Sequence, residues 1–120
     1  MKGKQFLARR QDFTRIYEYG RSWKNRYLVL RILPNNLDYT RYGFSVSRKV
    51  GNAVVRNRIK RRLREMMRSK PLSAGWDVVL VARKPACQAN YDVLQQALDI
   101  ILRRAGIMVE SHENTGSETN

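Results

Sequence analysis

Apolar residues recur with a period of two in two early segments of the chain, which predicts two β-strands. The first runs from about residue 26 to the turn Pro34-Asn35-Asn36; one face carries Leu28, Leu30 and Ile32, and the other carries Tyr27, Val29 and Arg31. The second spans about 41–48; one face carries Tyr42, Phe44 and Val46, and the other carries Gly43, Ser45 and Ser47. Because the strands follow each other after a loop of moderate length, the pattern predicts an antiparallel hairpin.

Three other segments show the apolar spacing of helices. A short helix is predicted over about 12–19, with Asp12 as its N-cap. A second helix is predicted over about 52–69. A third runs from its cap at Asn90 to a stop at Gly106. The apolar stripe of this third helix consists of Leu94, Ala97, Leu98, Ile101, Leu102 and Ala105.

Residues 77–82 form a continuous apolar run, which is typical of a strand that is buried on both faces and central in its sheet. The predicted order is therefore α-β-β-α-β-α, an α+β fold in which helices pack against a sheet, and an extra short strand near 21–25 is compatible with it. By the general rule the strand–helix–strand stretch over 41–82 would cross over right-handedly. We expect one domain over residues 1–109 and a polar, disordered tail over 110–120.

The charge balance indicates a polyanionic partner. The chain has 24 Lys and Arg against 10 Asp and Glu, a net charge of +14, and self-repulsion of this size favours nucleic acid first and anionic lipid second. A single cysteine, Cys87, and a single histidine, His112 in the tail, exclude a disulfide framework and argue against a zinc site. No apolar run reaches the roughly 18 residues of a membrane span, and the basic N-terminus lacks the apolar stretch of a signal peptide.

The second predicted helix separates apolar from cationic residues. Its core stripe consists of Val55, Ile59, Leu63 and Met66, flanked by Arg56, Arg58 and Arg62. The opposite face carries Asn57, Lys60, Arg61, Arg64 and Arg68. Lys60, Arg64 and Arg68 follow each other at i,i+4 as like charges, which destabilises an isolated helix. A solvated face is the alternative, but such faces usually interleave both signs, so we favour contact with a phosphate backbone.

The segment KVGNAVVRNRIKRRLRE, from Lys49 to Glu65, contains Arg56-Asn57-Arg58 and closely resembles the signature of the bacterial ribonuclease P protein subunit family. The stretches 43–49 and 77–84 and the early Asp12-Phe13 helix resemble that family as well. The resemblance covers roughly residues 8–105, and its most specific part is the Arg-Asn-Arg helix with its flanks.

The resemblance implies a central, mostly antiparallel sheet packed with helices and an uncommon left-handed crossover through the basic helix. It implies a cytoplasmic protein subunit of ribonuclease P, bound one-to-one to a catalytic RNA that removes the 5′ leader from precursor tRNA. It further implies that this RNA requires Mg²⁺ and carries the chemistry. The protein would bind no cofactor of its own, and neither a membrane nor an obligate protein partner would be involved.

Carried over residue by residue, the resemblance implies two binding sites. The ribozyme RNA would be bound by Lys49, Arg56, Asn57, Arg58, Lys60, Arg61, Arg64 and Arg68. The leader would run in a cleft between the first helix and the sheet, lined by Phe13, Tyr17, Val29, Arg31, Ser45 and Ser47. Arg31 departs from the family, some members of which have an aromatic residue there, so we expect an altered nucleotide preference. For Phe13 and Tyr17, which lie side by side at i,i+4, core packing is the alternative.

The residues offer no self-sufficient nuclease site. None of the acids before the tail forms a close pair of the kind that two-metal hydrolysis uses, and the only histidine lies in the tail. This argues against an autonomous nuclease. The remaining alternative is a small basic RNA-binding protein of the ribosomal type, although such proteins more often use long basic extensions.

Overall fold

Five strands form one sheet in the order β1-β4-β5-β3-β2. The computed structural model describes residues 5–7 and 9–109. Its elements are β1 (Gln5–Phe6), α1 (Arg10–Tyr19), β2 (Arg21–Lys24), β3 (Leu28–Pro34), β4 (Arg41–Ser45), α2 (Ala53–Arg68), β5 (Trp76–Ala82), a 3₁₀-helix (Lys84–Gln88) and α3 (Tyr91–Ala105). The sheet is mixed, since β3 is antiparallel to both of its neighbours and β4 is parallel to both of its own. The predicted α+β class is thus confirmed, and β2 is the short strand expected near 21–25.

The position of β5 confirms one prediction and contradicts another. As expected from its apolar run, β5 is the central strand, and Val78, Val79 and Leu80 are fully buried. The predicted hairpin between β3 and β4 is wrong, because β5 lies between them and pairs with both. A strand that is apolar on both faces is best stabilised where helices cover both faces and other strands pair with both edges. The position of β5 between β3 and β4 provides this. The hairpin of the fold joins β2 and β3 instead.

Two layers of helix cover the sheet. On one face, α2 and α3 enclose the larger core, which includes Leu30 and Leu80 of the sheet. On the other face, α1 packs over Val79 through Ile16 in a smaller cluster. The unit formed by β4, α2 and β5 joins adjacent parallel strands, and its left-handed crossover stays a prediction. The predicted tail over 110–120, with His112, lies outside the described residues.

The predicted N-caps are confirmed for α2 and α3 and wrong for α1. The side chains of Asn52 and Asn90 accept hydrogen bonds from the backbone N–H groups of Val55 and Val93, at 3.0 and 2.9 Å. Asp12 is not an N-cap: α1 begins two residues earlier, and Asp12 is buried in its first turn. Its carboxylate forms an ion pair with Arg41 on the sheet, as described below.

Three local boundaries also differ from the prediction. Strand β4 ends at Ser45, so Ser47 lies in the turn that follows, where its carbonyl accepts from Val50 N–H at 3.1 Å. Tyr27 precedes β3 and packs against the larger core, so it does not share a face with Val29. Strand β1 is absent from the prediction, because two residues are too few to show a period.

Candidate RNA interface

The cationic side of α2 is exposed as the sequence predicts. Ile59, Leu63, Met66 and Met67 are buried against the core, and Asn57, Arg61, Arg64 and Arg68 are exposed. A depression of about 420 Å³ is lined by Arg61, Arg64, Glu65 and Arg68. We call the eight predicted residues the basic surface: Lys49, Arg56, Asn57, Arg58, Lys60, Arg61, Arg64 and Arg68. Its members therefore lie along one helix and the turn before it.

Two members of the basic surface are partly buried against the rest of the fold. Arg56 and Arg58 are half-buried, and their Nε atoms are buried without a hydrogen-bond partner in the described part of the chain. A terminal nitrogen of Arg58 donates to the carbonyl of Cys87 in the 3₁₀-helix at 3.3 Å. Arg58 therefore also anchors α2 to this turn, whereas Arg61 has its whole side chain available to a phosphate.

The predicted cleft lies on the opposite face of the sheet, beside α1. Strand register places Val29, Val81 and Ser45 in one row across β3, β5 and β4, and all three are half-buried. This row is the floor of the cleft. The sequence did not single out Val81, because its place in the row depends on the pairing of three strands. Ser47 is exposed beyond the end of β4 and does not belong to the row.

The two aromatic residues of α1 have different surroundings. The ring of Phe13 lies on Gly43, where a Cβ atom would come within 2.6 Å of Phe13 Cζ, and it packs against the smaller core. Tyr17 is 40% exposed at the open end of the cleft. Core packing thus accounts for much of Phe13 and for little of Tyr17.

Arg31 reaches from the sheet to α1 across this cleft. Its guanidinium carbon lies 5.2 Å from the centre of the Tyr17 ring, and one of its terminal nitrogens donates to the Tyr17 carbonyl at 3.3 Å. A planar cation therefore lies over the ring that a base would use. Guanidinium groups can stack on bases and bind phosphate.

A buried ion-pair network, missed by the sequence analysis, positions α1 on the sheet. Asp77 accepts from Arg41 Nε at 2.8 Å and from a terminal nitrogen at 2.6 Å, and it also accepts from Asn35 at 3.0 Å. A second terminal nitrogen of Arg41 lies 3.6 Å from the carboxylate of Asp12 on α1. The hydrogen bond with Asp77 raises the pKa of Arg41 against the opposing effect of burial. The network ties α1, β4 and β5 together at one end of the cleft.

The two predicted surfaces meet at the edge of β4 that pairs with β1. Phe13 from the cleft and Lys60 and Arg64 from the basic surface line one cavity there, with Phe6 and Tyr42. The pKa of Tyr42 is raised overall, because the effect of burial outweighs the opposing effect of the nearby cations Arg68 and Arg64. A nucleic acid could pass from one surface to the other at this edge.

Three acidic residues form ion pairs with basic side chains of the fold. Asp12 and Asp77 share Arg41, and Asp99 lies 2.6 Å from Lys70. Within residues 5–7 and 9–109, no three His, Cys, Asp or Glu side chains form a group that could hold a metal ion. Over the same residues, no helix is both long and apolar enough to cross a membrane.

Comparisons with known proteins show the family of this chain. The family model for ribonuclease P matches residues 1–106. The chain belongs to the ribonuclease P protein family. It is 37% identical to the ribonuclease P protein component of Dehalococcoides mccartyi (strain ATCC BAA-2266 / KCTC 15142 / 195) over all of both chains. It is 39% identical to that of Caldanaerobacter subterraneus subsp. tengcongensis, over 87% of this chain and 91% of the relative.

Solved structures of ribonuclease P proteins share the fold. The Staphylococcus aureus protein superposes with a TM-score of 0.80 at 36% identity, covering 87% of this chain and 97% of its own. The Thermotoga maritima protein gives a TM-score of 0.77 at 32% identity, covering 89% and 99%. As a ribonuclease P protein component, the chain is an RNA-binding part of an endoribonuclease complex that processes tRNA, and the ribosomal-type alternative is not favoured.

Proposed function

We propose that the basic surface binds the catalytic RNA of ribonuclease P, with one protein for each RNA. The observation that carries this proposal is the row of exposed cations on α2, where Arg61, Arg64 and Arg68 stand on one side of the helix. Like charges at this spacing repel each other, and a phosphate backbone relieves the repulsion. Asn52 caps the helix and its apolar stripe fixes it on the sheet, so the cations are presented by a rigid element.

The cleft takes the unpaired 5′ leader of precursor tRNA. Its support is the half-buried floor of Val29, Val81 and Ser45, with the exposed ring of Tyr17 and the guanidinium of Arg31 above it. Single strands are bound by aromatic stacking combined with cations that follow the backbone. A floor of small and β-branched side chains leaves room for such a strand.

The protein contributes binding, and the RNA with its Mg²⁺ carries the chemistry, in the cytoplasm. A binding role is supported by three acidic residues, Asp12, Asp77 and Asp99, each of which is paired with a cation of the fold. The described residues do not fit a protein-held metal pair, so no step of the reaction is assigned to one. Positioning of the leader strengthens the substrate complex and so assists removal of the leader.

Reconstitution tests this function. The protein with a ribonuclease P RNA should support cleavage of precursor tRNA at a low magnesium concentration at which the RNA alone is nearly inactive, and the protein alone should not cleave. Removing a charge from α2 with Arg61→Ala should weaken assembly, whereas the matched removal from α3 with Arg103→Ala should not. Cleavage by the RNA-free protein that is lost on changing one carboxylate would refute the division of labour.

A further inference from the structure

A cavity of about 220 Å³ opens at the edge of the sheet, between the end of β1 and α2. Its walls are Phe6, Leu7, Phe13, Tyr42, Gly43, Phe44, Lys60 and Arg64. It lies where the basic surface and the cleft meet; of its aromatic residues, Phe13 belongs to the predicted cleft, whereas Phe6, Tyr42 and Phe44 belong to neither predicted site. The cavity combines an exposed ring, two cations and an open strand edge.

The ring is Phe6, which is 54% exposed although it belongs to a strand. It makes an edge-to-face contact with Tyr42, with ring centres 5.1 Å apart, and Tyr42 in turn contacts Phe44 at 5.5 Å. Because Tyr42 is 95% buried and fixed in the sheet, the Phe6 ring has a rigid support on one side and solvent on another. An exposed ring held in this way is suited to stacking on a flat ligand.

The cations are Lys60 and Arg64 on the neighbouring side of α2. The guanidinium carbon of Arg64 lies 5.4 Å from the centre of the Phe6 ring, and Lys60 shares the cavity wall. Arg64 is exposed, so its guanidinium can turn from the ring to a phosphate without loss of core packing. The ring offers a stacking surface to a base, and the nearby Arg64 with Lys60 on the same cavity wall offers cations to its phosphate.

The strand edge is that of β4. The β1 ladder ends at the Phe6–Tyr42 pair, followed by a hydrogen bond of 2.9 Å from Leu7 N–H to the Tyr42 carbonyl. Beyond it, from Gly43 to Ser45, no described strand pairs with β4 on this side. Backbone donors and acceptors at such an edge can bond the edge of a base.

We propose that this cavity binds a single unpaired nucleotide, with its base against Phe6, its phosphate on Lys60 and Arg64, and its base edge along β4. The proposal rests on the proposed function, because the nucleotide comes from one of the two RNAs of the complex. The catalytic RNA and the leader offer the same chemistry, and the position between the two surfaces is open to both. The cavity shares Lys60 and Arg64 with the basic surface and Phe13 with the cleft, and it adds Phe6 as a further RNA contact between them.

Crosslinking of the assembled complex identifies the contact and its source. The wild-type protein, isotopically labelled ribonuclease P RNA and unlabelled precursor tRNA are irradiated together, and crosslinked peptides are sequenced by mass spectrometry. We expect a nucleotide attached at Phe6 or Tyr42, and its isotope content shows which RNA supplied it. Crosslinks on α2 with none on β1 or β4 would overturn the proposal while leaving the proposed function intact.

Binding by matched variants provides the second test. Phe6→Leu, which removes the ring, should weaken binding of the RNA that the crosslink identifies by roughly 5- to 150-fold, the range of one base–aromatic stack. Phe6→Tyr, which keeps the ring, should bind like the wild type, and Tyr19→Leu should have no such effect, because Tyr19 is an exposed aromatic on α1 away from the cavity. Equal effects of Phe6→Leu and Tyr19→Leu refute the site. Failure of the wild type to bind either RNA refutes the proposed function instead.

Discussion

Replacement of Tyr17 by alanine tests the leader cleft without disturbing the fold. Tyr17 is 40% exposed on α1, and alanine is the better helix former by a few tenths of a kcal/mol, so the free energy of unfolding should fall by only about 1–2 kcal/mol. Loss of one base–aromatic stack should weaken binding of precursor tRNA by about 1–3 kcal/mol. In the dissociation constant this is roughly a 5- to 150-fold increase.

Phe13 provides the contrast that makes the Tyr17 experiment informative. Its ring is half-buried on Gly43 and packs against the smaller core. A fully buried Phe→Ala exchange costs about 3–5 kcal/mol, so about half of that is expected for Phe13→Ala. A binding defect of Phe13→Ala would therefore combine unfolding with a lost stack, and Tyr17→Ala is the cleaner probe.

The assay is equilibrium binding of precursor and mature tRNA to the reconstituted complex. Tyr17→Ala should raise the dissociation constant for precursor tRNA and leave that for mature tRNA, which has no leader, nearly unchanged. Tyr19→Ala, on the same helix and 70% exposed, is the matched control and should change neither. Equal weakening of both tRNAs by Tyr17→Ala, or an effect no larger than that of the control, would refute the leader assignment.

Three further predictions follow from the charges and the buried groups. Arg61→Ala should flatten the slope of the logarithm of the ribonuclease P RNA binding constant against the logarithm of the salt concentration by about 0.7–0.9, measured by titration at several salt concentrations. Arg103→Ala on α3 should leave this slope unchanged. Equal slopes for the wild type and both variants would contradict the phosphate contact. Asp77→Asn should lower the free energy of unfolding in urea by about 3 kcal/mol, the lower end of the range for a broken buried pair, because it leaves the partly buried Arg41 with only the more distant Asp12. A loss below about 1 kcal/mol would show that the network is dispensable. Burial raises the pKa of Tyr42 above its unfolded value, so the stabilisation of the folded state by the neutral phenol is intact below about pH 10 and is lost as the pH rises through the folded pKa. The wild type should therefore lose stability relative to Tyr42→Phe above about pH 10. A constant difference in the free energy of unfolding between the two proteins across that range would contradict this.

The elements that the sequence determined are those whose signals are local. Helix α2 has a cap at Asn52, an apolar stripe every three to four residues and a cationic opposite side, and all three are properties of neighbouring residues in the chain. The same holds for α3, from its cap at Asn90 to the left-handed Gly106 at φ 75°. The basic surface could be predicted residue by residue because it lies almost entirely on one such helix.

The arrangement of the strands depended on the tertiary structure. The apolar run of β5 showed that it is central, but not that β3 and β4 would be its two neighbours, because partner choice depends on packing between residues far apart in the chain. The floor of the cleft exists only through that pairing, which puts Val81 between Val29 and Ser45. Strand β1 is two residues long and exists only because β4 offers it an edge.

Asp12 shows the same limit at a single residue. Alone in its segment, an aspartate before an apolar helical pattern satisfies the local rule for an N-cap. In the folded chain Arg41 lies 3.6 Å from its carboxylate, and Asp12 lies in the first turn of α1.

The sequence by itself determined the helices and the cationic surface, because short-range geometry decides both. Only the tertiary structure decided the sheet order, the cleft and the cavity at the β4 edge, because each requires side chains that are brought together from separate segments.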